Sequence, residues 1–406
     1  MNKFIRGFYS GCVKTGNVGD DILFLIFVKF LSLCIYKKYN INCVIEKKYI
    51  PWGRDKNWIK HCSIGVVGGG SIIHPEEISY TNGIENNKDS LRSTFIFGTG
   101  ISDSSKYRIP YDNRIELIGK KTDDVFFPIN ELMEYNINSI NRAIFGGLRG
   151  PLDVKIAKSV LPNFSKSYIY DPGILMSKLI ENECVHERNN IGINLADVSG
   201  DNRISKEGES YEDYMERILS VIKEFSSWCL NEGYNLYFYS LGSGDLLLHK
   251  KMIDILSINF PDNNIKIICL DVEKMEEMAS VFNSFKFCIS LRLHSNILVN
   301  SFNIPTICLA YNMKALNYMK SIDCEDLLIP TNEDLNFINL KNKFIYLELN
   351  YDNFVNKLKY HTNKSYEIYY TEFSKMLDVY DFNSVENIKI NYEVIDNNYG
   401  IYDIEI

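Results

Sequence analysis

Residues 286–310, KFCISLRLHSNILVNSFNIPTICLA, have the pattern from which the fold class is predicted. The apolar run Phe287–Leu291 is typical of a buried strand, and apolar residues recur after it at helical spacing. Pro305 then opens a second apolar run that ends at Ala310. The order strand, polar tip, helix, strand is that of an open parallel α/β sheet.

The polar tip of this segment is a candidate site. Arg292 and His294 stand two residues apart, so on extended backbone they share one face. Ligands of open α/β sheets bind at the carboxyl ends of strands, and the following helix offers free N–H groups there. Guanidinium, imidazole and helix N-terminus together predict a site for a small anion that also needs proton transfer. The alternative is an arginine paired with a carboxylate and a histidine that only caps the helix.

Composition narrows the classes of protein that fit. The chain has 406 residues, enough for two domains and a further segment. A net charge of −8 argues against nucleic-acid binding, which needs a basic face. Ten cysteines without a CxxC pair and six scattered histidines predict free thiols, no metal site and a reducing, cytoplasmic location. The apolar run 22–36 is too short to span a bilayer, although peripheral membrane contact is compatible with it.

Three predicted strands in the first half, 4–10, 63–70 and 94–98, lead into glycine-rich segments. The segment after the first strand lacks GxGxxG, and Asn17 and Val18 stand where a P-loop has Lys and Ser or Thr. Because parallel strands end at one edge, these segments are expected to line one cleft. The candidate substrate contacts among them are Asn17, Gly19, Asp20, Gly69, Gly70, Ser71, Gly98, Thr99 and Gly100. For Asp20, capping of the helix predicted over 20–39 is an equal alternative.

A fourth strand, predicted over 142–149, ends in a second strand-tip arginine, Arg149. Pro151 suits the first turn of the helix that follows. A functional Arg149 would add positive charge to the same edge as Arg292, and the alternative is an ion pair with Asp153 or Asp171.

The charged segment 180–190 is the predicted linker between two α/β series. We expect an N-terminal Rossmann-like domain over 1–182 and a second over 190–345. Lys314 follows the strand predicted over 307–311 and adds a third cation at that edge. The segment 346–406 is expected to hold a helix over 350–379 and an irregular tail with a strand-like stretch at 387–395, without an assigned role.

Seven short segments of the chain resemble the polysaccharide pyruvyl transferase family, in that family's order and over roughly residues 1–320. They are GNVGDD (16–21), VVGGGS (66–71), FGTG (97–100), LRGPLD (148–153), DPG (171–173), LRLHS (291–295) and LAYNMK (309–314). LRLHS together with RGPL is the specific part of the resemblance.

The resemblance implies two Rossmann-like, doubly wound domains that face a cleft in a GT-B-like arrangement, without a metal or other cofactor. It implies transfer of the pyruvyl group of phosphoenolpyruvate to a sugar of a cell-surface polysaccharide, such as a capsule or exopolysaccharide, or of its precursor. The product would be a ketal across two hydroxyls, with release of phosphate. The acceptor would be lipid-linked, nucleotide-linked or polymeric.

Carried onto this chain, the resemblance makes Arg292, Leu293 and His294 the donor-side motif and Arg149 the second anion-binding arginine. We expect Arg149, Arg292 and the helix N-terminus near Ser295 to hold phosphate and carboxylate, with Lys314 beside them. His294 would act as a general acid.

Three other functions fit parts of the pattern. A nucleotide-sugar-dependent GT-B glycosyltransferase shares the architecture but needs a nucleotide pocket in the second domain. An NAD-type oxidoreductase would use the first glycine loop with Glu46 as the ribose ligand, and the missing GxGxxG argues against it. A non-catalytic anion- or sugar-binding protein would keep the arginines without needing His294.

Overall fold

The computed structural model of the chain describes most of both predicted domains. The described residues are 3–11, 18–51, 62–73, 93–101, 131–180, 189–198, 205–206, 208–241, 243–260, 265–332, 334–382 and 386–396. The predicted linker falls largely on residues outside these ranges.

Thirteen strands form within the described residues, and they belong to two sheets. They are β1 (Lys3–Gly11), β2 (Asn42–Pro51), β3 (Ile64–Val67), β4 (Gly70–Ile73), β5 (Ser93–Ile101), β6 (Phe145–Leu148), β7 (Asn190–Asn194), β8 (Asn235–Ser240), β9 (Ile265–Cys269), β10 (Phe285–Ser290), β11 (Thr306–Ala310), β12 (Leu328–Pro330) and β13 (Asn387–Asp396).

The helices lie between the strands, as the sequence pattern predicts. They are α1 (Val18–Tyr39), α2 (Glu131–Arg142), α3 (Pro151–Val160), α4 (Met176–Leu179), α5 (Tyr211–Asn231), α6 (Ser243–Ser257), α7 (Met275–Asn283), α8 (Leu293–Ser301), α9 (Met313–Ser321), α10 (Phe337–Leu349) and α11 (Tyr351–Leu377). Short 3-10 turns cover Pro172–Leu175 and Glu325–Leu327. Pro151 occupies the first turn of α3, which confirms its predicted place.

The second sheet has the strand order of a dinucleotide-binding Rossmann fold. All its strands are parallel, in the order β12-β11-β10-β7-β8-β9. Counted along this part of the chain and read from β9, the order is 3-2-1-4-5-6, with its reversal between β7 and β10. β10 is almost entirely buried, as expected for a central parallel strand. The predicted doubly wound architecture of this half is therefore confirmed.

The first sheet is also parallel, in the order β2-β13-β1-β3-β5-β4, with β6 paired to β5. The stretch 167–170, which reads as a strand, makes only an isolated bridge from Tyr168 to Leu148. Two doubly wound parallel sheets thus give the chain the predicted GT-B-like α/β fold.

The C-terminal segment has a structural role that the sequence pattern left open. β13 lies between β1 and β2, with Ile390 opposite both Ile5 and Ile45. Ile388 and Ile390 are buried, whereas Lys389 between them is exposed. This alternation is typical of a strand with one face on the core. The last strand of the described chain therefore completes the first sheet.

Helix α11 connects the two halves. Near its start, Phe354 is in edge contact with Tyr346 of α10. Near its end, Phe373 packs among four aromatic rings of the first half, those of Phe27, Phe30, Phe95 and Phe97. A helix of 27 residues therefore packs on both domains.

The described cysteines are free thiols, and those at 34, 62, 229, 288, 308 and 324 are buried. Among the described residues, no helix combines the length and apolar character needed to cross a membrane.

Candidate active site

The two halves meet where the loops that follow their parallel strands come together. Helix α3, which follows β6, contacts helix α9, which follows β11. The backbone N–H of Leu152 donates to Asn317 Oδ1 at 2.9 Å, and Asn317 Nδ2 donates to Asp153 Oδ2 at 2.6 Å. The strand ends of both sheets thereby face a common region, as predicted for the cleft.

Arg149 lies in this region as a buried cation. Its side chain is 1% exposed, and Nη2 donates to Ser71 Oγ at 2.7 Å. Nη1 lies 4.0 Å from Asp171 Oδ2, and Nε has no hydrogen-bond partner among the described residues. A buried guanidinium with an unused donor is costly to keep, and such exceptions concentrate at functional sites.

Asp171, which the site prediction did not include, is a fully buried carboxylate beside Arg149. Its Oδ1 accepts from the Gly173 N–H at 2.9 Å, whereas Oδ2 has no hydrogen-bond partner in the described part of the chain. Burial raises the pKa of Asp171, and the nearby His294 and Arg149 oppose that rise. The Asp171 carboxylate therefore interacts electrostatically with both His294 and Arg149.

His294 lies in the first turn of α8 and is buried. Its Nε2 lies 3.9 Å from Asp20 Oδ1 and makes no hydrogen bond to any described residue. Burial lowers the pKa of His294 to about 4; Asp171 acts in the opposite direction, while Arg149 and Lys314 lower the pKa further. The imidazole is thus neutral near pH 7, and an anion beside these cations would raise its pKa.

Three buried polar atoms without a partner among the described residues therefore belong to one cluster: Arg149 Nε, Asp171 Oδ2 and His294 Nε2. Arg149 follows β6 and Asp171 precedes the 3-10 turn at Pro172, whereas His294 comes from the first turn of α8 in the other half of the chain. A cation, a carboxylate and a neutral imidazole in one buried cluster can bind a small anion and move a proton next to it.

Arg292 is paired with a buried carboxylate. Its Nε and Nη2 donate to the two carboxylate oxygens of Asp245 at 2.5 and 2.7 Å, and the Asp245 side chain is fully buried. This is the carboxylate pairing that the sequence offered as the alternative for Arg292. Since much of its charge is balanced by Asp245, Arg292 is a weaker candidate anion clamp than Arg149.

Two of the predicted glycines lie directly against the cluster. A Cβ at Gly19 would overlap the ring of His294, and one at Gly100 would overlap the guanidinium of Arg149. Glycine is therefore required at both positions for these side chains to pack where they do. Gly70, at φ +94°, lies beside Asp20, because its Cβ would come within 3.3 Å of Asp20 Oδ1.

Other predicted contacts serve the surrounding packing. Thr99 Oγ1 donates to the Gly68 carbonyl at 2.5 Å, and a Cβ at Gly69 would press on Leu23 and Pro172. The Ser295 hydroxyl is buried 2.5 Å from the hydroxyl of Tyr239. The hydroxyl of Ser295 is therefore used in the core of the second half, and the predicted substrate contact of Ser295, in the first turn of α8, stays a prediction.

Of the remaining predicted residues, Leu293 is buried at the start of α8, and Lys314 is partly buried in the first turn of α9. Asn17 lies outside the described residues.

Two carboxylates that sequence reasoning left out of the site are Asp171 and Asp245. Asp171 directly precedes Pro172-Gly173, and its position after a strand-like stretch was a usable signal. Asp245 is 47 positions from Arg292, so no local pattern could pair them. Within the described ranges, no group of three His, Cys, Asp or Glu side chains is placed to hold a metal ion.

No known protein family and no curated protein matches the chain. Among solved structures, the Staphylococcus aureus MnaA–UDP complex shares 11% identity, covering 94% of this chain and 98% of that one with a TM-score of 0.47. The Neisseria meningitidis UDP-GlcNAc 2-epimerase bound to UDP-GlcNAc shares 10% identity, covering 92% and 100% with a TM-score of 0.43.

A third solved structure, Escherichia coli ADP-heptose lipopolysaccharide heptosyltransferase II, shares 10% identity, covering 76% of this chain and 84% of that one with a TM-score of 0.34. At such low identity these similarities do not identify a substrate.

Proposed function

We propose that this chain is a sugar-modifying enzyme of GT-B-like architecture, and specifically a pyruvyl transferase that uses phosphoenolpyruvate. The observation that supports the proposal most directly is the buried cluster of Arg149, Asp171 and His294, with its three unpartnered polar atoms among the described residues. The segments that resemble the polysaccharide pyruvyl transferases supply two of these residues in their most specific part, RGPL and LRLHS.

Phosphoenolpyruvate suits the charges of the cluster. Arg149 offers a forked donor for a carboxylate or phosphate, and Lys314 contributes a second cation near His294. Arg292, balanced by Asp245, would contribute mainly through the start of α8, whose free N–H groups favour an anion.

An anionic donor bound beside Arg149 and Lys314 would raise the pKa of His294 and put a proton on it, which suits the general-acid role expected from the sequence. Nε2 of His294 would donate this proton to C3 of phosphoenolpyruvate, which becomes the methyl group, and the oxygen of a sugar hydroxyl would bond to the cationic C2. The proton of that hydroxyl would return to Nε2. Phosphate would leave, and the second hydroxyl would close the ketal while its proton goes to the released phosphate.

A nucleotide-sugar-dependent transferase is the second candidate. It is favoured by the strand-order reversal between β7 and β10, where Rossmann sheets bind nucleotides. Arg292 lies at the end of β10, and its backbone N–H donates to Asn194 Oδ1 at the end of β7 at 3.3 Å. In that function, Arg292 and Asp245 would contact the nucleotide, and the Arg149 cluster the sugar.

A ligand screen separates the two functions. Thermal unfolding would be followed with phosphoenolpyruvate, UDP-sugars and NAD, because a ligand at about 100 times its Kd stabilises the fold by about 2.7 kcal/mol. We expect stabilisation by phosphoenolpyruvate, its loss in Arg149→Met, and phosphate release when candidate sugar acceptors are added. A shift with a UDP-sugar and none with phosphoenolpyruvate would replace the proposal with the second candidate.

A further inference from the structure

We propose that helix α11 is a positioning element of the active site, which acts through Tyr170 on the adjacent Asp171. The residues that do this are Tyr369 and His361, both on the buried side of α11. The inference rests on the proposed function only in taking Asp171 as part of the working cluster.

Tyr170 has an unusual backbone conformation next to that cluster. Its φ is +73°, in the left-handed region that residues with a Cβ rarely adopt, and its side chain is fully buried. Such a conformation persists only where surrounding contacts enforce it, and it is concentrated at functional sites. Because Asp171 is the next residue, the conformation of Tyr170 sets where the carboxylate of Asp171 lies.

Helix α11 supplies the contacts that hold Tyr170. The Tyr369 hydroxyl donates to the backbone carbonyl of Tyr170 at 2.9 Å. The Tyr170 hydroxyl is 3.0 Å from Nδ1 of His361. The backbone and the side chain of Tyr170 are thus both bonded to one helix.

Gly98 in β5 explains how Tyr369 reaches this carbonyl. A Cβ at Gly98 would overlap the Tyr369 hydroxyl and the Tyr170 carbonyl, and the φ of Gly98 is +62°. Gly98 was predicted as a substrate contact. In the structure, its lack of a side chain leaves room for the hydrogen bond between the Tyr369 hydroxyl and the Tyr170 carbonyl.

The same helix is bonded to the second half of the chain. Nε2 of His361 lies 3.0 Å from Asp323 Oδ2, and Lys357 Nζ donates to the Asp323 carbonyl at 2.7 Å. Asp323 follows α9, the helix that begins near Lys314. His361 therefore links Tyr170 in one half to Asp323 in the other.

The test is a double-mutant cycle between Tyr369→Phe and Asp171→Asn, with phosphate release from phosphoenolpyruvate as the readout. We expect Tyr369→Phe to lower kcat by about tenfold or more, since small displacements of reacting groups have effects of that size. In the Asp171→Asn background, Tyr369→Phe should change kcat by less than about twofold, because the carboxylate that Tyr369 positions is already absent. His361→Asn should show the same dependence on Asp171, and it replaces Tyr369→Phe in the cycle if that variant fails to fold.

Tyr366→Phe is the matched control. It removes a phenol hydroxyl from the same helix that contacts only Lys37 in the described hydrogen bonds, at 2.7 Å. We expect it to leave kcat unchanged. If Tyr369→Phe matches this control, or if its effect is equally large with and without Asp171, the positioning role is overturned.

Sulfate affinity gives a readout that does not depend on the proposed reaction. If the unmodified protein releases no phosphate from phosphoenolpyruvate with any acceptor, the proposed function fails. The same cycle measured by sulfate titration calorimetry then decides the positioning role: non-additive changes in Kd support it, and additive changes overturn it.

Discussion

Gly19, in the first turn of α1, lies against the ring of His294 from the other half of the chain. A Cβ placed on Gly19 would overlap Nδ1, Cβ and Cγ of the histidine. The imidazole of His294 is therefore positioned by backbone of the first half, and the two halves are complementary at this contact.

The substitution Gly19→Ala should accordingly displace His294. We expect kcat/KM to fall by about a hundredfold, because a shift of about 1 Å in a reacting group has effects of that order. The cost in stability should be within the roughly 1–3 kcal/mol typical of overpacking. Initial rates of phosphate release and urea unfolding measure the two effects.

Gly244→Ala is the control for this prediction. Gly244 lies in the first turn of α6, where an added Cβ would meet none of the described atoms within 4 Å. Alanine there should leave the rate unchanged and leave stability equal or slightly higher. Equal effects of the two substitutions would contradict the contact between Gly19 and His294.

Arg149→Lys should weaken binding of phosphoenolpyruvate more than Arg292→Lys. Lysine cannot keep both the Ser71 hydrogen bond and a forked contact to the anion, and a charge-assisted hydrogen bond contributes about 1.5–3 kcal/mol. We expect a rise in Kd of at least about tenfold for Arg149→Lys. Since two nitrogens of Arg292 already bind Asp245, Arg292→Lys should raise the Kd by a smaller factor.

Titration calorimetry checks this order, with the exposed Arg6→Lys as the reference. A larger loss for Arg292→Lys would restore Arg292 as the principal anion clamp.

Sulfate binding should draw a proton onto His294. In the free protein burial lowers the pKa of His294 to about 4, and the charges of Arg149 and Lys314 lower it further. A bound dianion offsets these cations and raises the pKa, so that protons are taken up and affinity increases as pH falls. Asp20 and Asp171 also face the imidazole, so the comparison is made with His294→Gln.

Calorimetry at pH 6 in buffers of different ionisation enthalpy measures the uptake, since sulfate itself does not titrate there. His294→Gln should abolish most of it. Unchanged uptake in that variant would place the titrating group elsewhere.

The sequence predicted the parallel strands because their apolar runs are short, regular and followed by glycines or polar tips. It also predicted that Arg149 and His294 follow the carboxyl ends of strands: in the structure Arg149 directly follows β6, and His294 lies in the first turn of α8, which follows β10. It could not place β13. An alternating stretch such as 387–395 joins a distant sheet only if two strands of that sheet leave room for it between them, and the sequence does not show which strands do so. The gap between β1 and β2 exists only in the folded chain.

The contacts of the site residues could not be predicted from local sequence patterns either. The Arg292–Asp245 pair and the contact of Tyr369 with the Tyr170 carbonyl join positions 47 and 199 residues apart. The left-handed conformation of Tyr170 had no sequence signal either, since tyrosine does not favour it.

Acid should destabilise the protein partly through His249. Burial lowers the pKa of His249 to about 4, and its Nε2 accepts a hydrogen bond from the Leu195 N–H at 2.9 Å. Because the unfolded chain takes up this proton near pH 6.5 and the folded chain does not, stability is lost as pH falls from about 6.5 to 4. The loss attributable to this residue is on the order of 3 kcal/mol.

His249→Gln should therefore lower stability at pH 7 but flatten its decline toward pH 4, as followed by urea unfolding at several pH values. An unchanged decline would show that His249 protonates in the folded protein.

Finally, Ile390→Ala should destabilise the protein although it lies close to the end of the described chain. Ile390 is fully buried in β13, between β1 and β2, and large-to-small changes in a core cost about 2–5 kcal/mol. The neighbouring Lys389 is exposed and pairs with Glu46 at 2.7 Å, so Lys389→Ala should change stability by less than about 1 kcal/mol. Urea unfolding of the two variants measures the difference. If both substitutions were neutral, β13 would not be part of the cooperative core, because a strand paired on both sides cannot lose a buried isoleucine without weakening the sheet.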